Sequence, residues 1–356
     1  MYHVSRAKLA QAEYVLQQIR DEWLARPGVT AVGLGFKWRD GRMTQEVSIR
    51  VHVVHKKPLT ELSETERFPK VIQGVPVDVV EATYSPQSYP LENALVEAGS
   101  SPAAAPRRNE RHNPVLLGVS VGSRFSTAGT LGAKVIDLDN GQEMILSNWH
   151  VLAGSNEAAA GLPIWQPGRI DGGQEQDTIA TLSRWELGPH DAAVAALNSQ
   201  RRVEAKTLEG RLIETATSPQ LGMLVWKSGR STGYTEGLID AVKMTVPIEY
   251  PQAGQHTLTD VAHIVPRPGA TATEISRGGD SGAIWVDVES GKAVALHFGG
   301  EVGDEPEYAL AHDITAVTSQ LRVRFPIASP PPRKPTSKPS PWQGILAFFQ
   351  RLFAPR

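Results

Sequence analysis

The chain of 356 residues contains no cysteine. Structural disulfides, thiol catalysis and cysteine-ligated metal sites are therefore excluded. The chain also lacks a marked excess of charge of either sign, since 36 Lys and Arg stand against 38 Asp and Glu, for a formal net charge of −2. A dedicated nucleic-acid binder normally carries a concentrated basic surface, so we expect no nucleic-acid partner.

Long hydrophobic runs are absent as well. No stretch approaches the ~20 apolar residues that a membrane-spanning helix needs. The first residues, MYHVSRAKLAQAEYVLQQIRDEWLARPG, carry charges throughout and lack the apolar region and small-residue cleavage site of a secretory signal. We therefore expect a cytoplasmic protein. With 40% hydrophobic residues, the chain has enough apolar material for globular cores of ordinary size.

Residues 1–95 have the pattern of a small α+β domain with an N-terminal amphipathic helix. Apolar residues recur at helical spacing over 9–23, and a Pro-Gly pair follows them. Two runs of alternating apolar residues, 31–38 and 47–53, lie on either side of an Asp-Gly pair and predict a hairpin. A further strand is predicted over 75–82.

The composition changes after this first part. The stretch 96–112 is rich in Ser, Pro, Ala and Arg, which indicates a linker. Over 113–326, short β-rich runs are separated by glycines at intervals of roughly ten residues, with few helical segments. Many short strands with glycine turns favour an all-β barrel or sandwich over an α/β fold.

The C-terminal end differs again. Residues 327–341 form a Pro-rich, basic stretch that predicts an extended tether. Residues 342–356 have apolar side chains at helical spacing and predict a short amphipathic helix, too short to cross a bilayer. Three alternatives stay open for this helix: docking on its own protein, in a groove of a partner protein, or on a membrane surface.

Three fragments of the β-rich part carry reactive side chains beside predicted strands. They are LSNWHVLAG with His150, GPHDAAVAAL with Asp191, and SRGGDSGAIW with Ser281. A serine hydroxyl becomes a strong nucleophile when an imidazole accepts its proton, and a carboxylate orients that imidazole and stabilises its cation. Small residues around Ser281 let backbone N–H groups converge, so those of Gly279 and Ser281 are the candidates for an oxyanion hole.

Chain order and spacing agree with this interpretation. The order His-Asp-Ser is that of chymotrypsin, whereas α/β-hydrolases have the order Ser-acid-His. Asp191 follows His150 by 41 residues and Ser281 follows Asp191 by 90, close to the roughly 45 and 93 residues of the chymotrypsin template. GDSG alone recurs by chance, but here all three fragments occur in the expected order.

These fragments resemble the trypsin-like serine proteases of the chymotrypsin fold. More narrowly, TAGTLGAKVID, IWQPGRIDGG, KSGRSTGYTEG and VALHFGG make the chain similar to bacterial trypsin-like proteins akin to the plant Narrow Leaf family. The resemblance covers residues ~25–325 and implies a chymotrypsin-like double β-barrel over 113–326. It implies that His150 is the general base, Asp191 its orienting acid and Ser281 the nucleophile.

The resemblance also bears on the substrate pocket. Ile275 stands where trypsin carries a pocket-floor aspartate, so trypsin-type specificity is not expected. VALHFGG, with His297 and Gly299, occupies the place of the strand that lines the primary pocket, and glutamyl endopeptidases carry a similar sequence there. His297 then either contacts an acidic substrate side chain or simply packs near the pocket. Asp280 has no newly cut N-terminus to pair with, so activation by N-terminal insertion is not expected.

The remaining histidines show no spacing typical of metal ligands, and we expect no metal and no cofactor. Five of them are predicted to lie on the surface or in loops: His112, His190, His256, His263 and His312.

The sequence therefore predicts a serine endopeptidase with non-tryptic primary specificity, acting on proteins or peptides through an acyl-enzyme intermediate. The alternative is an inactive or latent protease-like scaffold that recruits partners through its N-terminal domain and C-terminal tail. A third hypothesis is hydrolysis of small esters by the same serine. The physiological substrate and the oligomeric state stay open.

Overall fold

The computed structural model describes residues 4–87, 107–271, 274–301 and 308–326. Most of the regular structure within these ranges is β-strand, with few and short helices apart from the first one. The predicted tether and C-terminal helix over 327–356 lie outside the described residues, as does most of the predicted linker.

The first part of the chain contains one long helix and five strands. They are α1 (Arg6–Leu24), β1 (Val29–Arg39), β2 (Arg42–Val53), β3 (Val71–Ile72), β4 (Val75–Glu81) and β5 (Tyr84–Pro86). The helix, the hairpin and the strand that the sequence pattern predicted over these residues are confirmed.

The middle part contains nine strands and one short helix. They are β6 (Val115–Leu117), β7 (Ser120–Val121), β8 (Gly129–Thr130), β9 (Ala133–Asp137), β10 (Glu143–Ser147), α2 (Trp149–Leu152), β11 (Pro163–Trp165), β12 (Thr178–Leu187), β13 (Asp191–Leu197) and β14 (Val203–Thr207).

The last described part contains seven strands and a short helix. They are β15 (Leu224–Gly229), β16 (Gly233–Tyr250), β17 (Gly254–Pro266), β18 (Ile284–Asp287), β19 (Ala293–Glu301), β20 (Ala309–Asp313), α3 (Ile314–Gln320) and β21 (Val323–Arg324).

Two larger sheets organise these strands. One has the order β11-β12-β13-β10-β9-β21. In the other, the neighbours run β15-β18-β19-β20-β17-β16, and β15 also pairs with β16, so these six strands form a closed ring. Buried Val, Ile, Leu and Ala side chains from both sheets fill a common apolar cluster. The mostly β character predicted for this part is confirmed, while the arrangement as two barrels stays a prediction.

The N-terminal strands continue the second sheet. β1 pairs antiparallel with β16, and the sheet extends from there through β2 and β4 to β3. The predicted division into a first domain over 1–95 and a second over 113–326 stays a prediction, but hydrogen bonds between strands join the two parts into one sheet.

Helix α1 covers this extension through one apolar face. Its buried residues, Ala12, Val15, Leu16, Ile19 and Trp23, follow the helical period that the sequence displays. They share an apolar cluster with alternating residues of β1 and β2 and with Ile239 and Trp285 of the closed ring. The helix is therefore stabilised by packing against the sheet rather than by end caps, since its N-cap makes no side-chain hydrogen bond.

Within the described ranges, no helix is both long enough and apolar enough to span a membrane.

Replacing Leu16 by alanine tests whether α1 is part of the core. Leu16 is 2% exposed, so the substitution leaves a cavity and should lower the free energy of unfolding by about 2–5 kcal/mol. Leu59→Ala is the control, because Leu59 is 65% exposed and should change stability by less than about 0.5 kcal/mol. Urea denaturation of both variants measures the difference, and equal effects would contradict the packing described here.

Candidate active site

Two neighbouring strands bring His150 and Asp191 together. β10 leads into α2, which carries His150, and Asp191 is the first residue of β13, the antiparallel partner of β10. Nδ1 of His150 makes a short hydrogen bond with Oδ2 of Asp191. The backbone N–H of His150 donates to the other carboxylate oxygen at 3.2 Å. Both side chains are buried, so the pair is held in one orientation.

Three further groups fix Asp191. The Tyr250 hydroxyl donates to Oδ2 at 2.8 Å, and the Asn148 side-chain amide donates to the Asp191 carbonyl at 2.7 Å. The backbone N–H of Asp191 donates to Nε2 of His312 at 3.0 Å. Burial opposes ionisation of Asp191, but the adjacent His150 and the hydrogen bonds hold its pKa below the ordinary value. The carboxylate is thus kept charged in a buried place.

His312 is suited to accept that bond because it is uncharged. Burial, together with the neighbouring His190, lowers its pKa to about 3. The ring is fully buried and stacks on Phe298 with centroids 4.2 Å apart. His312 therefore positions the start of β13, a role that no sequence pattern indicated.

The loop that carries Ser281 is shaped by a buried ion pair. Nζ of Lys227 lies 3.1 Å from Oδ2 of Asp280, and neither side chain is exposed to solvent. Thr232 donates to the same carboxylate oxygen at 2.6 Å, and the Ser231 N–H donates to the other at 2.8 Å. Burial opposes ionisation of Asp280, but Lys227 and these donors hold its pKa below the ordinary value.

Glycines make this loop feasible. Gly279 has φ +95°, in the region that other residues rarely adopt. A Cβ on Gly229 would lie 2.3 Å from Oδ1 of Asp280, so any side chain there would displace the ion pair. The backbone of 279–281 is therefore restrained by the left-handed conformation of Gly279 and by the close approach of Gly229 to the Asp280 side chain.

Ser281 and Gly279 converge on one peptide oxygen, the carbonyl of Gln87. The Gly279 N–H donates to this oxygen at 3.0 Å, and the Ser281 hydroxyl lies 3.0 Å from it. The same hydroxyl lies 3.2 Å from the Phe298 carbonyl oxygen. Nε2 of His150 is buried and has no hydrogen-bond partner among the described residues. The predicted nucleophile is therefore directed at a carbonyl group and not at the imidazole.

The two halves of the predicted triad nevertheless lie close together. The Thr130 N–H donates to the Ser281 carbonyl at 2.7 Å. A Cβ on Gly129 would lie 2.4 Å from a methyl group of Val151 and 2.9 Å from that same carbonyl. Gly129 therefore lies between the Ser281 carbonyl and Val151, the residue that follows His150.

His297 of β19 holds the side chain of Gln87. The Trp285 indole N–H can only donate, and it lies 3.5 Å from Nδ1 of His297. The ring proton is then on Nε2, which lies 2.7 Å from Oε1 of Gln87 and donates to it. Burial, assisted by the Lys227 ammonium, lowers the pKa of His297 to about 3, so the ring is neutral.

The other two predicted pocket residues have different roles. The Ile275 side chain is buried in the apolar cluster that includes Ile239, and its carbonyl accepts a 2.7 Å bond from Thr235. Gly299 pairs with Pro86 of β5, and a Cβ on it would lie 2.6 Å from the Ser85 carbonyl oxygen. Gly299 thus permits close approach of an extended segment to β19.

The prediction that the remaining histidines lie on the surface or in loops is wrong for two of them, because His263 and His312 are buried on strands β17 and β20. His190 is also buried, but it lies in the loop between β12 and β13. His263 is bonded to the buried Asp240 at 2.5 Å. His112 and His256 are partly exposed. The hydrogen-bond partners of His263 and His312 lie 23 and 121 residues away in the chain, which is why spacing gave no signal for these two.

Sequence reasoning also missed Tyr250, Lys227 and Gln87. Lys227 had one signal, because it directly follows the apolar run MLVW and precedes a glycine-containing loop, where an unpaired buried charge would be costly. Tyr250 and Gln87 had none.

Across the described ranges, no three His, Asp or Glu side chains lie close enough to hold a metal ion.

Comparison with known proteins gives structural likeness alone. No family model matches the chain, and no curated protein matches it. Among solved structures, the Nocardiopsis protease NAPase is 16% identical with a TM-score of 0.45, over 60% of this chain and 99% of that one. A glutamic-acid-specific serine protease with a histidine triad in substrate binding is 18% identical with a TM-score of 0.45, over 59% and 100%. Cellulomonas bogoriensis chymotrypsin is 16% identical with a TM-score of 0.44, over 60% and 99%.

At these identities and TM-scores the likeness says nothing of activity or specificity. The narrower resemblance to Narrow Leaf-like proteins receives no support from these comparisons.

Replacing Lys227 by methionine tests the ion pair that shapes the serine loop. The change leaves the Asp280 carboxylate buried without its countercharge, which should lower the free energy of unfolding by about 3–5 kcal/mol. Lys292→Met is the matched control, since Lys292 is exposed and its replacement should barely change the free energy of unfolding. Urea denaturation of the two variants measures the effect, and similar midpoints would contradict the role given to Lys227.

Proposed function

We propose that this chain is a serine endopeptidase with a chymotrypsin-like double-barrel arrangement, in which Ser281 is the nucleophile, His150 the general base and Asp191 its orienting acid. The observation that carries the proposal is the convergence of the Gly279 N–H and the Ser281 hydroxyl on one peptide carbonyl oxygen, with the buried His150–Asp191 pair close by.

The proposed reaction begins with the attack of Oγ of Ser281 on a peptide carbonyl carbon. Its proton passes to Nε2 of His150, the ring nitrogen that has no other partner among the described residues. The charged Asp191 stabilises the imidazolium, and the N–H groups of Gly279 and Ser281 stabilise the oxyanion. His150 then protonates the leaving amine, and water hydrolyses the acyl-enzyme after giving its proton to the same ring.

Strand β19 supports the binding of an extended peptide. Its carbonyl and N–H groups from Phe298 to Glu301 already pair with an antiparallel segment, and glycines at 299 and 300 let that segment approach. A substrate strand placed there receives main-chain hydrogen bonds whatever its side chains are. This favours a peptide over a small ester as the substrate.

One observation favours the alternative of a latent scaffold. The Ser281 hydroxyl contacts the carbonyls of Gln87 and Phe298 and is not bonded to His150. A serine so placed must rotate before the imidazole can accept its proton. Latency would then be a property of the occupied cleft and not of a missing catalytic group.

Labelling by a fluorophosphonate probe at neutral pH tests the nucleophile. The wild-type chain should be labelled. Labelling of Ser281→Ala should be at least about a hundredfold lower, because the reacting oxygen is gone. Ser319→Ala is the control, since Ser319 is exposed on α3 and should be labelled like the wild type. Equal labelling of the wild type and Ser281→Ala would refute this assignment.

Peptides that differ only at the residue before the cleaved bond test the pocket. We expect glutamine and glutamate to be cut better than lysine and arginine, because His297 offers an N–H to a side-chain oxygen and the Lys227 ammonium lies nearby. The order should be the same at about pH 6 and about pH 8, because His297 is uncharged at both. Efficient cutting after lysine or arginine would contradict this pocket.

A further inference from the structure

A segment of the chain itself lies on β19 at the serine loop. Strand β5 pairs antiparallel with β19, with Tyr84 opposite Glu301, Ser85 opposite Gly300 and Pro86 opposite Gly299. It is an extended three-residue segment with no other strand partner among the described residues.

Gln87, the residue after β5, makes four contacts that fit a substrate residue in the proposed mechanism. Its N–H donates to the Phe298 carbonyl at 3.1 Å, and its carbonyl oxygen receives the Gly279 N–H at 3.0 Å. The Ser281 hydroxyl lies 3.0 Å from that oxygen. The side-chain amide oxygen accepts from His297 at 2.7 Å. Backbone and side chain are thus both placed with respect to the serine.

The segment is anchored upstream, so this placement does not depend on Gln87 alone. The Tyr84 hydroxyl makes a short hydrogen bond with Nδ1 of the buried His52 of β2. Ala82 is bonded to β1 and β2, because its carbonyl accepts from Thr30 at 2.6 Å and its N–H donates to Val53 at 3.0 Å. These contacts tie β5 to the N-terminal strands, which themselves pair with β16.

We propose that the chain cleaves itself after Gln87 and that, until it does, β5 occupies the cleft in place of other substrates. This inference depends on the proposed function, since it uses the same serine and base. Oγ of Ser281 forms an ester with the Gln87 carbonyl carbon, and the bond from that carbon to the nitrogen of residue 88 breaks. The serine proton reaches the leaving amine through His150. Water then breaks the ester, leaving a carboxyl group on Gln87 and a free hydroxyl on Ser281.

The two products should stay together after cleavage. Residues 1–87 remain attached through the pairing of β1 with β16 and through the apolar face of α1, neither of which involves the cut bond. Native gel filtration would therefore not detect the reaction, and the measurement must be made on the denatured chain.

Intact-mass measurement under denaturing conditions, on the purified full-length protein, tests the proposal. The wild type should yield fragments 1–87 and 88–356, and Ser281→Ala should stay whole. Gln87→Arg should slow the cleavage at least about tenfold, because a cation replaces the amide that His297 holds, and the Lys227 ammonium lies near that ring. Gln17→Arg is the matched control, since Gln17 is exposed on α1 and should cleave like the wild type. The rate constant should not change on about a hundredfold dilution, since the reaction is intramolecular.

Fluorophosphonate labelling of the same samples, including Gln87→Arg, separates the two ways of failing. If the probe labels Ser281 but the wild-type chain stays whole, or is cut elsewhere, self-cleavage after Gln87 is overturned and the proposed function stands. If Gln87→Arg cleaves as fast as the wild type, the role of the His297 pocket in this reaction is overturned. If neither the wild type nor Gln87→Arg is labelled or cut, the proposed function fails, and self-cleavage fails with it.

Discussion

The buried ion pair between Lys227 and Asp280 is the interaction on which the site depends. It turns the Asp280 side chain away from the cleft and thereby directs the Gly279 N–H and the Ser281 hydroxyl toward it. Removing two charges from water is costly, and the geometry offsets that cost here because Thr232 and the Ser231 N–H satisfy the same carboxylate. Because the ammonium belongs to a strand of the ring, the loop is ordered without any newly formed chain terminus.

The N-terminal part and the ring are joined by one continuous β-sheet. The sheet that runs from the ring through β16 into β1 and β2 carries the segment before β5 to the edge of β19. His52 holds Tyr84 from the N-terminal side, and β19 holds the backbone from the other. The position of Gln87 at the serine is therefore set by the pairing of long strands, which is stiffer than a loop would be.

The sequence predicted those parts of the molecule that local pattern determines. The helical period over 9–23 and the Asp-Gly hairpin predicted α1, β1 and β2. Three short motifs are the basis on which His150, Asp191 and Ser281 are proposed as the triad. Nothing local indicated Tyr250, His312 or Gln87, because each acts through a partner that is 59, 121 or 194 residues away in the chain. Such contacts are created by strand pairing, and the register of the paired strands cannot be deduced from one sequence.

An enzyme accelerates a reaction only through interactions that are stronger in the transition state than in the ground state. The main-chain bonds of β5 to β19 and the Tyr84–His52 bond are the same before and after attack, so they hold the segment without lowering the barrier. In the proposed mechanism, the bond from the Ser281 hydroxyl to the Gln87 carbonyl must moreover be exchanged for one to His150 before attack. A segment that is tightly bound and whose nucleophile must first rotate should react slowly and only once. The same contacts that make Gln87 resemble a substrate thus also allow β5 to keep the cleft closed for an extended time.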